Sequence, residues 1–210
     1  MTQAESLNVV FDLGGVLIDW NPRYLYRKLF PDDESAMERF LAEICSPDWN
    51  LTLDAGRPFA EAVAELAAQH PHERERIDAY HQRWLEMVAG PIEPTVRILE
   101  ELDAQGVPLW ALTNWSTETF ALVRTDPTYA FLDRFREIFV SGELRMIKPD
   151  PAIFRHTVEA IGVSAANCLF IDDSAKNVAA AAAGGLLTHH FTAPGQLRSD
   201  LERMGVLDGR

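Results

Sequence analysis

VVFDLGGVLID, residues 9–19, runs from an apolar stretch into one carboxylate, Asp12, and then into a pair of glycines. The segment LNVVFD at 7–12 is β-branched and apolar and is broken by Gly14 and Gly15, which predicts a short buried strand ending at Asp12. Whether that strand stands alone or within a sheet depends on the pattern of the remaining chain.

From Pro22 to about Ala89 the pattern is helical. YLYRKLF, ESAMERFLAEIC, FAEAVAELAAQH and ERIDAYHQRWLEMV each carry apolar residues at three-four spacing, so four helices in succession form a module. Gly90-Pro91 closes it, and the chain then alternates. Helices are expected at 94–105, at 117–125, at 151–162 and through the alanine run at 179–183. They interleave with strands VPLWALT (107–113), EIFVS (137–141), CLFID (168–172) and LLTHHF (186–191). Such alternation predicts an α/β fold, a Rossmann-like parallel sheet with helices on both faces. The helical module is then an inserted four-helix cap domain at 20–90, and residues 1–19 and 91–210 form the core domain.

At 210 residues, with 47% apolar and 24% charged residues, the composition is that of an ordinary globular protein. The formal net charge of −13 argues against nucleic acid or an anionic membrane as partner. Any anionic substrate must be met by locally placed cations, amides or a metal. Cys45 and Cys168 lie far apart in apolar surroundings, without metal-ligand spacing, and read as buried thiols. No leader or membrane-spanning pattern is visible, so a cytoplasmic protein, monomer or homodimer, is the expectation.

In a parallel sheet of this kind the ligand crevice lies outside the carboxyl ends of the strands. There the sequence puts Asp12, Thr113-Asn114 and Asp172-Asp173, with Lys148-Pro149 nearby. Taken singly, each has a bland reading as a turn or a capping residue. Together, three carboxylates at one edge repel one another unless a cation sits among them. Hard oxygen ligands suit Mg²⁺, and Lys148 supplies a further positive charge. Backbone N–H groups at Gly14 and Gly15, with no side chain in the way, could approach an anion closely. This set suits phosphoryl transfer with a carboxylate as nucleophile.

VVFDLGG, LWALTN, Lys148 in MIKPDPAIF and LFIDDSAKNV, in that order, resemble the four signatures of the haloacid dehalogenase superfamily of hydrolases. The likeness spans essentially the whole chain. The helical insertion resembles the small cap of that superfamily's first subclass. Within it, the chain is similar to the group of sugar-phosphate phosphatases that includes α-D-glucose-1-phosphate phosphatase. The resemblance implies that Asp12 is the nucleophile, forming an aspartyl-phosphate and binding Mg²⁺. It implies that the Gly14 carbonyl and Asp173 also bind the metal, with Asp172 acting through water or paired with Lys148. Thr113 and Asn114 would hold phosphate oxygens, and Lys148 would stabilise charge on the nucleophile and the transferring group.

The departure from the superfamily is Gly14, where most of its phosphatases carry an aspartate that protonates the leaving group. One consequence is a phosphatase of small phosphorylated metabolites whose acid is water or another group, with Asp19 as one candidate. The alternative is a 2-haloacid dehalogenase, which needs neither metal nor that acid, although the intact Asp172-Asp173 pair speaks for a metal. A non-catalytic binding protein is a third reading. In the cap, Trp20, Arg23, Asp48, Trp49, Asn50, Asp54 and Arg57 gather at helix breaks, with SPDWNLTLDAGRP (46–58) expected as a loop facing the site. Trp20, Trp49 and Arg57 are its candidate substrate contacts. Their bland reading is packing within the cap and surface pairing.

Overall fold

The computed structural model describes residues 7–209. In chain order, β1 (Asn8–Phe11) and β2 (Ile18–Trp20) lead into five helices, α1 (Arg23–Leu29), α2 (Glu34–Glu43), α3 (Pro47–Asp54), α4 (Phe59–Gln69) and α5 (Arg74–Gln82). Next come β3 (Val88–Pro91), α6 (Glu93–Ala104), β4 (Leu109–Thr113), α7 (Thr117–Arg124), β5 (Ile138–Val140) and α8 (Ser141–Leu144). The chain continues through α9 (Pro151–Ile161), β6 (Cys168–Asp172), α10 (Ala175–Ala183), β7 (Leu187–His190) and α11 (Pro194–Arg203).

Five strands form one sheet in the order β5-β4-β1-β6-β7, every neighbouring pair parallel. β1 lies at the centre with all four residues buried, which is why it reads as unbroken apolar sequence. Alternation along the strands sorts side chains onto two faces. Val9, Phe11, Ala111, Leu169 and Ile171 join one cluster with Leu99 of α6 and Leu197 of α11. Val10, Leu112 and Phe170 join another with Phe154 of α9 and Ala181 of α10. Helices therefore cover both faces, as the alternation predicts. Of the alanine run, only Ala181 is fully buried in that packing.

Register decides what meets at the crevice. Phe11 pairs with Ile171 on one side and Ala111 on the other, so Asp12 and Asp172 leave the sheet side by side.

The four expected cap helices are present, and a fifth, α3, occupies part of the stretch expected as a loop. Its start is well made: Ser46 Oγ accepts from the Trp49 N–H at 3.2 Å, Pro47 opens the first turn and Asp48 comes next. The helix lacks an apolar stripe, with Leu53 its one fully buried residue, so periodicity does not reveal it. It presents Asn50 and Asp54, one turn apart, as a hydrogen-bonded pair at 2.9 Å. The cap interior is built on Tyr26, whose ring lies 5.0 Å from Phe40 and 6.2 Å from Tyr80.

Cap and core are joined by a two-stranded antiparallel ribbon, β2 with β3, pairing Ile18 with Pro91 and Asp19 with Gly90. Strands this short escape periodicity. Asp19 is held there by the Tyr24 hydroxyl at 2.9 Å. The apolar cluster on the cap side of the sheet runs without a break from Phe11 and Leu13 to Tyr26 and Phe59.

Within the core, α8 packs tightly against the start of α7. Gly142 accepts no Cβ: one would fall 2.7 Å from the Thr117 nitrogen and 2.9 Å from the Trp115 carbonyl oxygen, both backbone atoms. Gly142→Ala is therefore expected to destabilise the protein by about 1–3 kcal/mol, the usual range for overpacking, measured by urea denaturation. Wild-type stability in that variant would contradict the close approach.

Candidate active site

At the carboxyl edge of the sheet, Lys148 is buried, 1% exposed. Its ammonium donates to Asp172 Oδ2 at 2.7 Å and to the Leu112 carbonyl at 2.9 Å, and it lies 2.9 Å from Asp12 Oδ2. Three donors thus meet three acceptors. A lysine is rarely found so deep unless paired. Burial works against its charge, but Asp12 and Asp172 together hold its pKa above the ordinary lysine value.

The carboxylates are less well balanced. Burial, together with the charges of Asp172 and Asp173, pushes Asp12 above the usual carboxylate range despite Lys148. Burial and Asp172 likewise raise Asp173. One ammonium does not neutralise three acids. Asp12, Asp172 and Asp173 bring carboxylate oxygens within 4.8 Å of one another, a set of hard donors that fits a small divalent cation. Asp172 is the most committed of the three. Besides Lys148 it accepts from the Ser174 N–H at 2.8 Å and from Asn177 Nδ2 at 3.1 Å.

The glycines separate in role. Gly15 has φ +72°, and a Cβ there would lie 2.4 Å from Asp173 Oδ2, so only glycine lets the Asp173 carboxylate reach the β1 loop. Its N–H donates to the Ile18 carbonyl at 2.9 Å. That corrects the expectation that the Gly15 amide meets substrate, because the tight turn consumes it. At Gly14 an added Cβ would meet no heavy atom within 4 Å. Packing does not enforce the missing acid.

Thr113 ends β4 and is buried. The Asn114 side chain is occupied: its Oδ1 accepts from the Lys148 N–H at 2.8 Å and its Nδ2 donates to the Lys148 carbonyl at 2.9 Å. Its side-chain amide is thus taken up by the Lys148 backbone, which leaves the backbone amide of Asn114 as the group to meet phosphate. Sequence reading misses the clamp because its partners are 34 residues apart.

Beneath the cap and beside this cluster is a cavity of about 80 Å³. Gly14 and Asn114 line it from the core, and Trp20, Phe59, Trp84 and Asp54 come from the inserted segment and its ribbon. Trp20 lines this cavity, its indole N–H buried and without a partner. Trp49 and Arg57 do not line the cavity. The Trp49 ring packs edge-on against Tyr80 at 5.0 Å, and Arg57 pairs with Glu61 and Glu65. Both keep to their bland reading, packing within the cap and surface pairing.

Asp54, on α3, lines the same cavity. Burial pushes its carboxyl up to about 7, against hydrogen bonds from the Ser116 amide and Asn50 and the charge of Lys148. Its backbone carbonyl accepts from Ser141 Oγ at 2.6 Å, which ties α3 to the core.

These features meet in one family. The chain belongs to the haloacid dehalogenase-like hydrolases, whose pattern it matches over residues 8–185. It is 30% identical to the sesquiterpene phosphatase astK of Aspergillus oryzae over 186 residues, covering 87% of this chain and 88% of that protein. It is also 30% identical to a plasmid-borne phosphoglycolate phosphatase of Cupriavidus necator, covering 89% of this chain and 83% of that protein. Among solved structures, a Bacteroides thetaiotaomicron enzyme of the same family, in complex with magnesium and inorganic phosphate, superposes with a TM-score of 0.68. That enzyme is 25% identical, with 90% of this chain and 95% of that chain covered. No helix among the described residues is long and apolar enough to cross a membrane.

Because Asp54 rises from 3.8 to about 7, the folded state holds its proton more tightly than the unfolded chain does. Its contribution to stability is complete below about pH 4 and is lost as pH rises through about 7, a fall of up to a few kcal/mol. Asp54→Asn is expected to flatten the pH dependence of urea unfolding between pH 4 and 8. An unchanged slope would contradict the burial assigned to this carboxyl.

Proposed function

We propose that this chain is a Mg²⁺-dependent phosphatase of small phosphorylated metabolites, sugar phosphates among them, working through an aspartyl-phosphate on Asp12. The single observation that carries the proposal is the Lys148 ammonium buried between Asp12 and Asp172, next to Gly14 and Asn114, which line the cavity under the inserted helices. The phosphatases among its relatives support the same reading. Residues 20–90 act in it as the cap domain, and residues 1–19 with 91–210 as the core domain.

Asp12, Asp173 and the Gly14 carbonyl would hold the metal, with Asp172 beside them. When bound, Mg²⁺ neutralises part of the carboxylate cluster and the substrate phosphate. Asp12 presents one oxygen to phosphorus, and Lys148 stabilises the charge that gathers on the transferring group. Lys148 can do this only because Asn114 fixes its backbone and Asp172, backed by Asn177, fixes its ammonium. Thr113 and the Asn114 amide hold phosphate oxygens, with the Gly14 amide beside them. The aromatic walls fit the apolar faces of a substrate's organic part, while Asn50 can meet a polar group on it.

The test is phosphate release from 4-nitrophenyl phosphate, sugar phosphates, phosphoglycolate and a sesquiterpenyl phosphate, with Mg²⁺ or with EDTA. Activity with Mg²⁺, lost with EDTA and reduced at least about 10³-fold in Asp12→Asn, is expected for loss of the nucleophile. Folded protein that releases no phosphate, or that releases halide from L-2-chloropropionate without metal, would contradict the proposal.

A further inference from the structure

Transfer of a phosphoryl group to Asp12 leaves the electron pair of the breaking P–O bond on the substrate oxygen. For an aliphatic alcohol that oxygen is strongly basic, so a proton must reach it in the transition state. General acid catalysis of this kind contributes roughly 10²–10⁴ in rate. Position 14 has no side chain to supply the proton, although it has room for one.

Lys148 is a poor donor, since its three N–H groups are committed to Asp12, Asp172 and Leu112. Asp19, the other carboxyl close in sequence, accepts from the Tyr24 hydroxyl and does not line the cavity. Among the described residues that line the cavity, Asp54 carries the sole carboxyl.

We propose that Asp54, delivered from the cap by α3, is the general acid and base of this enzyme in place of the absent side chain at position 14. The inference rests on Asp12 being the nucleophile, as proposed above. As the P–O bond to the leaving group breaks, the Asp54 O–H gives its proton to the departing oxygen, and the alcohol leaves with Asp54 ionised. The Asp54 carboxylate then takes a proton from a water whose oxygen attacks phosphorus. The bond between phosphorus and Asp12 breaks with its electron pair returning to the carboxylate. Inorganic phosphate departs, and Asp54 is protonated again for the next cycle.

Three features of the fold prepare Asp54 for this. Its carboxyl is oriented by Asn50 at 2.9 Å. Asn50 is itself held by the Tyr80 hydroxyl at 2.8 Å, so the orientation is set by the cap interior. The Ser141 bond to the Asp54 carbonyl fixes the end of α3 to the core, and with it the position of the carboxyl over the cavity. Burial places the titration near neutrality, where both protonation states are within reach. Because the acid comes from the cap, full acid catalysis would require the closed arrangement seen here.

A latch between cap and core would use the same bonds, so the test must separate a proton donor from a strut. kcat/KM reports the steps through the first irreversible one, here transfer to Asp12, and a leaving group that needs no proton is indifferent to the acid. The experiment compares wild type and Asp54→Asn on 4-nitrophenyl phosphate and on glycerol phosphate, with Mg²⁺ present. Asparagine keeps an acceptor for the Asn50 amide but cannot donate a proton from oxygen. The expected result is a fall in kcat/KM of less than about threefold on the aryl ester and of at least about 10²-fold on the alkyl ester.

An equal loss on both esters, or no loss on either, overturns the assignment. Should Asp54→Asn fail to fold, Asp54→Ser carries the same comparison with a smaller acceptor. The two proposals fail differently. Wild-type protein without phosphatase activity refutes the reading of Asp12, whereas active wild type with a leaving-group-independent defect refutes only the role of Asp54.

Discussion

The site is organised around one buried ammonium. Lys148 lies among Asp12, Asp172 and the Leu112 carbonyl, and removing its charge would leave two carboxylates facing each other in a poorly hydrated niche. Breaking such a group costs several kcal/mol because the uncompensated charge stays buried. The strand register that sets Asp12 beside Asp172, the Asn114 clamp on the Lys148 backbone and the Asn177 bond to Asp172 all hold this one charge in place. The imbalance that remains, three acids against one base, makes the niche a set of hard donors that fits a further cation.

The inserted helical segment completes the site without supplying its nucleophile. α3 lays Asp54 and Asn50 over the cavity, and Trp20, Phe59 and Trp84 supply aromatic walls. Its attachment to the core is polar as well as apolar. Glu118 of α7 accepts from the Phe59 amide at 2.9 Å at the start of α4, whose preceding residue, Pro58, provides no side-chain cap. The Phe59 ring stacks on His81 at 4.5 Å, and Trp84 meets Trp115 at 5.6 Å. The same residues line the cavity and seat the inserted helices, so under the proposed function changes in the wall that admit a new substrate would also alter how firmly the cap seats.

Much of this is legible in the sequence, for reasons that can be named. A buried parallel strand announces itself as an unbroken apolar run, and the residue that ends it must lie at the crevice, so Asp12, Thr113 and Asp172 fall there from the pattern alone. Four amphipathic helices in a row disclose the insertion. What stays hidden depends on long separations or weak patterns. The start of α3 has a clear capping signal, but with one fully buried residue the helix has no stripe to read. The Ser141 bond to Asp54 spans 87 residues, and no local pattern encodes it. Trp49 and Arg57 look like site residues because aromatic and cationic groups at a helix break often are. Tyr80 and two glutamates claim them instead.

Gly14 first reads as a gap in a motif, and the structure turns it into a question of where the proton comes from. The proposed chemistry rests on Asp12 accepting the phosphoryl group, a step that would leave a chemical trace. The most direct measurement is rapid acid quenching of the enzyme with a ³²P-labelled phosphate monoester and Mg²⁺, followed by peptide mapping. Transient label is expected on the peptide that contains Asp12, and none in Asp12→Asn. Turnover without label on that peptide, or with label carried by another residue, would contradict the assignment of Asp12 as nucleophile.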